Sequence, residues 1–520
     1  MKPLVIIVAC FFAVTIFATE PTAETASWWA HVRILAADNM EGRDTGSPGY
    51  DRAAKYVAAQ FQWAGLKPAG TEGYYQSVPL HSIELRTKDS SVEIVRNGAS
   101  APLAWLQEIS IVPHAGVPEH LEAPLLFVGY ALPEDGSKAL PIDVKGKVVV
   151  FLNSVPSTIP ATQQVQATAE RQTLLAASGA LGAIAIDDPS FIVEPPRWPV
   201  AYARAVTVAE STGPLSARAD QYVALRLRAE AADRLLSGSG HTFAQLMKAH
   251  TTSAPLPTFP IPGTLRLKLE FDTRDFKSDN IVGVLPGSDL ALGKEYVVVS
   301  AHLDGYGYGE PVHGDRLYNG ALDDSAYVAE LIEYAGHLKD HPRRRSILFA
   351  VFTGEEKGLL GSQFFTTHPT VAKQEIVADI NLDILRPIFP LNILTCLGLA
   401  ESSLGATARQ VGQNLGIEIR PDMEPERNLL RRSDQFSFIR IGVPAVAFVF
   451  GYNQGSPEEQ VYRRWYAERY HKPSDDIDQP VDFAAAAKFN RFFEKLTTTI
   501  ADADSRPAWN SNSPYKAAVR

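Results

Sequence analysis

AHLD (301–304), GALDD (320–324), TGEEKG (353–358) and NLDI (381–384) follow one another within 84 residues of the chain, from 301 to 384. Three of these motifs end or follow apolar runs typical of strands, YVVVSAH (296–302), SILFAVFT (346–353) and IVADINLDI (376–384). In an open α/β sheet, groups at the carboxyl ends of neighbouring strands converge on one crevice. The pattern therefore predicts one site built from His302, Asp323, Glu355, Glu356 and Asp383.

One imidazole and four carboxylates repel one another unless a cation lies among them, and imidazole with carboxylate is a ligand set that zinc accepts. A further candidate ligand, His471, occurs late in the chain in YHKPSDD (470–476). Taken singly, His-x-Asp can be a capping pair and Glu355–Glu356 a solvated loop. The whole ordered set, with its motifs at strand ends, favours a zinc ion or a zinc pair.

The ordered motifs HLD, GALDD, GEExGLxGS, NLD and YHxPxDD resemble those of metallopeptidase family M28, the co-catalytic zinc aminopeptidases, over about the whole mature chain. The resemblance implies two Zn²⁺ per chain. It makes His302 and Asp383 ligands of one ion and Glu356 and His471 ligands of the other, with Asp323 bridging the two. It also makes Glu355 the general base and Tyr470 a donor to the tetrahedral intermediate.

Supporting acids are expected around these ligands, because a metal-bound histidine usually donates its other ring N–H to a carboxylate or carbonyl. Asp304, two residues after His302, is the candidate partner of that ring, and Asp475 or Asp476 is the candidate partner of His471. Each of these acids can instead be a surface residue.

Length and composition set wider limits. With 520 residues the chain is too long for one ordinary core, so two or three domains are expected. The formal net charge is −10 and the pI is about 5.7, which argues against nucleic-acid binding because no basic excess exists to neutralise phosphates.

The amino terminus resembles a secretory signal peptide, assigned to residues 1–23, with Lys2 before an apolar run. Cys10 lies inside that run, which argues against a lipoprotein site. No later segment has the ~20 apolar residues of a membrane span, so a secreted or periplasmic protein without a stable membrane anchor is expected. Cys396 alone remains after removal of the signal, so no internal disulfide can form.

Strand and helix patterns alternate after residue 260, which predicts an α/β fold with a mostly parallel mixed sheet sandwiched by helices, of the zinc-peptidase type. Residues 109–259 are richer in β patterns and resemble the protease-associated (PA) domain that many members of the family insert. The predicted division is 24–108 and 260–505 for the peptidase domain, 109–259 for the insertion, and 506–520 for a flexible tail.

The resemblance implies an exported aminopeptidase that acts on peptides. Carboxypeptidases and glutaminyl cyclases of the same fold use similar ligands, and receptor relatives keep the fold without catalysis, so these functions remain alternatives. Two positions depart from the family pattern: Tyr327 replaces a glycine at a helix start, and Gln435 replaces a histidine in RSDQF (432–436). Neither departure removes a ligand. The motifs do not predict which N-terminal residue of a peptide is preferred, or the oligomeric state.

Overall fold

The structure is a computed structural model that describes residues 20–132, 140, 142–190, 204–209, 222–384 and 386–518. Residues 1–19, which hold most of the predicted signal peptide, lie outside the described residues. Among the helices in those ranges, none is both long enough and apolar enough to cross a membrane.

The helices and strands alternate along most of the chain. The α-helices are α1 (Ala26–Leu35), α2 (Pro48–Trp63), α3 (Ala161–Ala177), α4 (Ala232–Leu236), α5 (Phe243–Thr251), α6 (Ala326–His337), α7 (Leu360–Thr367), α8 (Ser403–Asn414), α9 (Gln435–Arg440), α10 (Pro457–Glu468) and α11 (Phe483–Asp502). The strands are β1 (Lys67–Pro68), β2 (Tyr75–Leu85), β3 (Ser91–Arg96), β4 (Ala99–Pro102), β5 (Ile109–Ile111), β6 (His120–Val128), β7 (Val148–Leu152), β8 (Gly182–Ile186), β9 (Arg204–Val208), β10 (Val223–Leu227), β11 (Thr258–Lys268), β12 (Phe271–Leu285), β13 (Tyr296–His302), β14 (Gly307–Val312), β15 (Asp315–Tyr318), β16 (Ser346–Phe352), β17 (Ile376–Asn381), β18 (Ile393–Leu397), β19 (Glu418–Arg420) and β20 (Ala445–Phe450).

One mixed sheet carries the four motifs, with the strand order β19-β18-β20-β17-β13-β16-β12-β2-β9 and with β1 beside β12. Its centre, β20-β17-β13-β16, is parallel. Alternate side chains of a strand point to opposite faces, so Val297 and Val299 pack with α6 and α11, whereas Val298 packs with α7 and α9. The central strands are thus covered on both faces, which confirms the predicted α/β class.

A second sheet has the order β4-β3-β11-β6-β7-β8-β10-β5 and its own apolar core, drawn from Leu85 to Leu269. This sheet begins before residue 109 and ends after residue 259, because β4 pairs with β3 and β3 pairs with the long strand β11. In addition, β9 lies within the predicted insertion but pairs with β2 of the first sheet. The predicted boundaries therefore differ from the extent of the second sheet at both ends.

The local sequence explains where α2 begins. Ser47 caps α2, accepting a hydrogen bond from the backbone N–H of Tyr50 at 3.1 Å, and Pro48 fills the first turn. The tail differs from the expectation of a flexible segment. Trp509 donates from Nε1 to the carbonyl of Gly442 at 2.9 Å, and Asn510 donates to the carbonyl of Ala400 at 2.8 Å. These two side chains attach the tail to the turn after α9 and to the turn before α8.

Candidate metal centre

Three neighbouring strands deliver the ligand candidates. His302 is the last residue of β13, Glu355 and Glu356 follow the end of β16, and Asp383 follows the end of β17. Since β13 lies between β16 and β17, all of these residues reach the same edge of the sheet. His302 is 1% exposed and Glu355 9% exposed, so the site lies in the interior.

Two groups of three donors share one carboxylate. Nε2 of His302 lies 3.2 Å from Oδ1 of Asp323 and 3.7 Å from Oδ1 of Asp383. Nε2 of His471 lies 3.0 Å from Oδ2 of Asp323 and 3.2 Å from Oε1 of Glu356. Within each group the ligand atoms lie within 4.8 Å of one another. The two oxygens of Asp323 therefore face different groups, as a bridging carboxylate requires.

The loop that carries Asp323 is held through its backbone. Gly320 begins it with a φ of 62°, and a Cβ there would meet the carbonyl oxygen of Asp323 at 2.4 Å, so only glycine fits. The carboxylate of Asp475 accepts the backbone N–H groups of Leu322 and Asp323, each at 3.1 Å. Buried Arg43 donates to the carbonyls of Gly320 at 2.9 Å and Asn319 at 2.7 Å. These contacts fix the direction of the Asp323 side chain.

Asp304 holds a different position from the one predicted. Nδ1 of His302 faces the backbone carbonyl of Asp304 at 3.0 Å, whereas the nearer carboxylate oxygen is 3.8 Å away. That carboxylate instead accepts the backbone N–H groups of Glu355 at 3.0 Å and Glu356 at 3.3 Å. The turn after β16 brings these N–H groups closer than the imidazole. Asp304 thus orients His302 by its carbonyl and the two glutamates by its side chain.

The partner of His471 is also different from the one predicted. Its Nδ1 lies 2.7 Å from the hydroxyl of Tyr306, while Asp475 holds the Asp323 loop and Asp476 accepts the backbone N–H of Ile477 at 2.6 Å. Tyr306 also packs its ring against His471, with centroids 4.6 Å apart. A tyrosine two residues after Asp304 gave no signal in the sequence.

The charges at the site call for a cation. Burial raises the pKa of Glu355 and of Glu356 well above the ordinary value, and neighbouring carboxylates raise both further. Burial alone would lower the pKa of His302, but nearby Asp323 and Asp383 raise it well above the usual range. Nε2 of His302 and Oδ2 of Asp323 are buried without a hydrogen-bond partner. Donors crowded in this way fit metal ions, which take up such lone pairs and offset the repulsion.

A cavity of about 410 Å³ opens beside the donors and is lined by Glu355, Tyr470 and Gln435, among others. The Tyr470 ring lies 3.9 Å, centroid to centroid, from that of His471. Gln435 accepts a hydrogen bond from Nδ2 of Asn381 at 2.8 Å and donates to the carbonyl of Leu430 at 3.0 Å. It ties the loop before α9 to the end of β17. Tyr327 instead packs in the core against Phe489.

Comparison with known proteins agrees with this architecture. Residues 280–497 match the model of peptidase family M28. A probable zinc metalloprotease of Pyrenophora teres f. teres is 27% identical over 243 residues, which is 44% of this chain and 49% of the relative. The aminopeptidase YwaD of Bacillus subtilis is 25% identical over 221 residues, 41% of this chain and 42% of the relative. The chain spans about half of the length of the curated relatives it matches.

Solved structures share the fold over nearly the whole chain. An aminopeptidase from Aneurinibacillus sp. strain AM-1 aligns with a TM-score of 0.56 at 16% identity, covering 92% of this chain and 94% of its own. A zinc aminopeptidase from Bacillus subtilis aligns with a TM-score of 0.57 at 17% identity, covering 94% of this chain and 98% of its own. The likeness therefore includes the second sheet as well as the M28 segment.

Proposed function

We propose that this protein is a zinc-dependent aminopeptidase that holds two zinc ions and removes N-terminal residues from peptides. The observation that carries the proposal is the pair of donor groups that share Asp323 beside the Glu355 cavity. The names of the matching zinc metalloproteases and aminopeptidases support zinc as the metal and peptides as the substrate.

Each side chain then has a defined task. His302 and Asp383 hold one ion, Glu356 and His471 hold the other, and Asp323 holds both. A zinc pair, when bound, supplies an activated water at neutral pH and polarises the scissile carbonyl. Glu355 accepts a proton at its carboxylate and returns it to the leaving amine.

Burial raises the pKa of Glu355 above its ordinary value, which makes the carboxylate a stronger proton acceptor. Tyr470 lines the cavity next to His471, which supports its role as a hydrogen-bond donor to the developing oxyanion.

The end of the substrate that enters the site is proposed from the named aminopeptidase relative. Three of the four carboxylates that line the cavity, Asp323, Glu356 and Asp383, are assigned to the metal ions, so their charge does not by itself select a free ammonium group. The cavity of about 410 Å³ has room for one or two residues of a peptide and excludes a folded chain. We further propose that the second sheet is a PA-type module that borders the cleft and limits peptide length, and that the enzyme works after export.

The proposal is tested with one panel of peptides of the same sequence, with a free amino terminus, an acetylated amino terminus or an amidated carboxyl terminus. Hydrolysis is measured by mass spectrometry before and after removal of metal. Cleavage of the first residue from free-amine peptides, lost on chelation and restored by Zn²⁺, is the expected result. Equal cleavage of the acetylated peptides would exclude an aminopeptidase, and release of the last residue would favour a carboxypeptidase.

A further inference from the structure

The cavity is also lined by a buried cation, the guanidinium of Arg386. This residue is 1% exposed and lines the same cavity as Asp383 and Glu355. Its guanidinium carbon lies 4.6 Å from the ring centre of Tyr466, 4.7 Å from that of Tyr462 and 5.6 Å from that of Trp465. Nε and Nη1 of Arg386 are buried without a hydrogen-bond partner. Aromatic faces thus surround the cation but do not use these donors.

Nearby carboxylate does not neutralise this charge. Glu424 is shared by Arg427, at 2.8 Å, and Arg463, at 2.7 Å. Among the residues that the structure describes, no carboxylate forms an ion pair with Arg386. Burial alone would raise the pKa of the Tyr466 phenol, yet the guanidinium groups of Arg386 and Arg427 lower it below its ordinary value. The field at this wall of the cavity is therefore positive.

A positive charge in this position is costly unless an anion meets it. Arginine keeps its proton in proteins, so Arg386 cannot relieve the cost by titration. Stacking on aromatic rings and a hydrogen bond to the Tyr466 hydroxyl offset only part of the cost of a buried cation that no anion meets. Arg431 and Arg432 also line the cavity, which makes three arginines against the acids of the metal centre. The guanidinium fork matches a carboxylate with two parallel hydrogen bonds.

We propose that Arg386 forms a carboxylate-binding subsite in this cavity, and that the preferred substrates carry a carboxylate close to the scissile bond. The proposal rests on the proposed peptidase function and adds the substrate class. Two sources supply such a carboxylate: the acidic side chain of an N-terminal Glu or Asp, and the α-carboxylate of a dipeptide. Both substrates carry a carboxylate within a few bonds of a free amine.

The test compares substrates that differ only in this charge. The first pair is a peptide that begins with Glu and the same peptide that begins with Gln. The second pair is Ala-Ala and its C-terminal amide. In the zinc-loaded wild-type protein, the carboxylate member of at least one pair should have the higher kcat/KM, by about 10- to 100-fold, the worth of a hydrogen bond to a charged group. The pair that discriminates identifies the source of the carboxylate.

Arg386→Met removes the charge and keeps the side-chain length, and Arg386→Lys keeps the charge without the planar fork. In Arg386→Met the preference for the carboxylate member should disappear, whereas kcat/KM for the neutral member should change by less than about 3-fold. Arg386→Lys should retain part of the preference. The neutral substrate serves as the internal control for folding, and zinc content and Tm are measured for each variant. If Arg386→Met does not fold, the Arg386→Lys ratio decides.

Calorimetric binding separates this proposal from the proposed function. Glutamate is titrated against glutamine, and Ala-Ala against its amide, into zinc-loaded wild-type and variant protein. A protein that cleaves none of the peptides but binds a carboxylate member in an Arg386-dependent way would contradict the proposed function and leave the subsite standing. Equal kcat/KM and equal binding within both pairs for wild type would overturn the subsite, as would equal losses on both members in the Arg386 variants.

Discussion

Glu355 and Glu356 are adjacent in sequence and differ in their neighbours. Glu356 lies 3.2 Å from Nε2 of His471 and belongs to a donor group, while Glu355 lines the cavity outside both groups. Glu355→Gln should therefore keep both zinc ions and lose about 10²- to 10⁴-fold in kcat, because the amide cannot accept a proton. KM should change little.

Glu356→Gln is the matched variant. It replaces an anionic ligand, so it should bind the zinc shared with His471 more weakly and recover part of its activity in excess Zn²⁺. Excess Zn²⁺ should not restore Glu355→Gln. Both variants are measured for zinc content and for rate. Loss of zinc from Glu355→Gln with retention in Glu356→Gln would reverse the two assignments.

Glu330 lies buried in the middle of α6, and neither of its carboxylate oxygens has a hydrogen-bond partner among the described residues. Burial raises the pKa of Glu330 well above its ordinary 4.5, so the folded state binds a proton that the unfolded state releases. Its contribution to stability is therefore complete below about pH 4.5 and falls as the pH rises toward the folded pKa. Glu330→Gln should raise the Tm at pH 8 relative to wild type and change it little at pH 4.5.

Glu333 on the same helix is the control. It accepts from Ser27 at 2.8 Å and pairs with His31 at 3.0 Å; burial acts to raise its pKa, but these partners lower it overall. Its contribution is therefore present above the unfolded pKa and is lost as the pH falls through the folded pKa. Glu333→Gln should lower the Tm at pH 8. Calorimetry at both pH values decides, and equal pH dependence for wild type and Glu330→Gln would refute this account of α6.

Apolar runs in the sequence predicted the strands well where the run coincides with side chains that are buried in the structure. The β16 run is buried at every position, and its bounds follow directly from the apolar sequence. The hairpin β14–β15 and helix α10 were not predicted, because the first is polar and alternates weakly and the second has a charged outer face. Their roles arise from tertiary contacts: Tyr462, Trp465 and Tyr466 of α10 enclose Arg386.

His302, Glu355, Glu356 and Asp383 lie at strand ends, where the sequence pattern predicts that they converge, whereas the contacts that orient the ligand candidates could not be predicted. Arg43, Tyr306 and Asp475 act through contacts between segments far apart in the chain. Periodicity cannot reveal which backbone carbonyl a buried guanidinium meets, or which hydroxyl faces an imidazole. The assignment of Asp304 to His302 shows the same limit, since two residues of separation do not determine which of two acceptors is nearer.

At the scale of the whole molecule, the chain leaves the first sheet at the end of β2 and returns to it at the start of β12. Leu85 at the end of β2 is the register partner of Phe271 at the start of β12, so a two-residue Asn-Gly turn can replace residues 86–270. The shortened chain keeps every ligand candidate. It should retain zinc content and cleave longer peptides relative to short ones, as measured by metal analysis and a peptide-length series.

This deletion also has a cost at the sheet edge. It removes β9, whose Val206 packs on Val78 and Leu80, and Arg204, which donates to Asp44 at 2.7 Å. A lower Tm is therefore expected from the uncovered edge strand β2. Loss of both metals in a folded product would show that the second sheet helps to build the metal centre.

Asp323 is proposed to join two metal ions in one site. The number of zinc ions per chain, measured by native mass spectrometry on wild type and Asp323→Ala, tests it most directly. We expect two zinc ions per chain in wild type. In Asp323→Ala we expect weaker binding of both ions, because the shared ligand is lost. One ion in wild type at saturating Zn²⁺, or two firmly bound ions in Asp323→Ala, would contradict it.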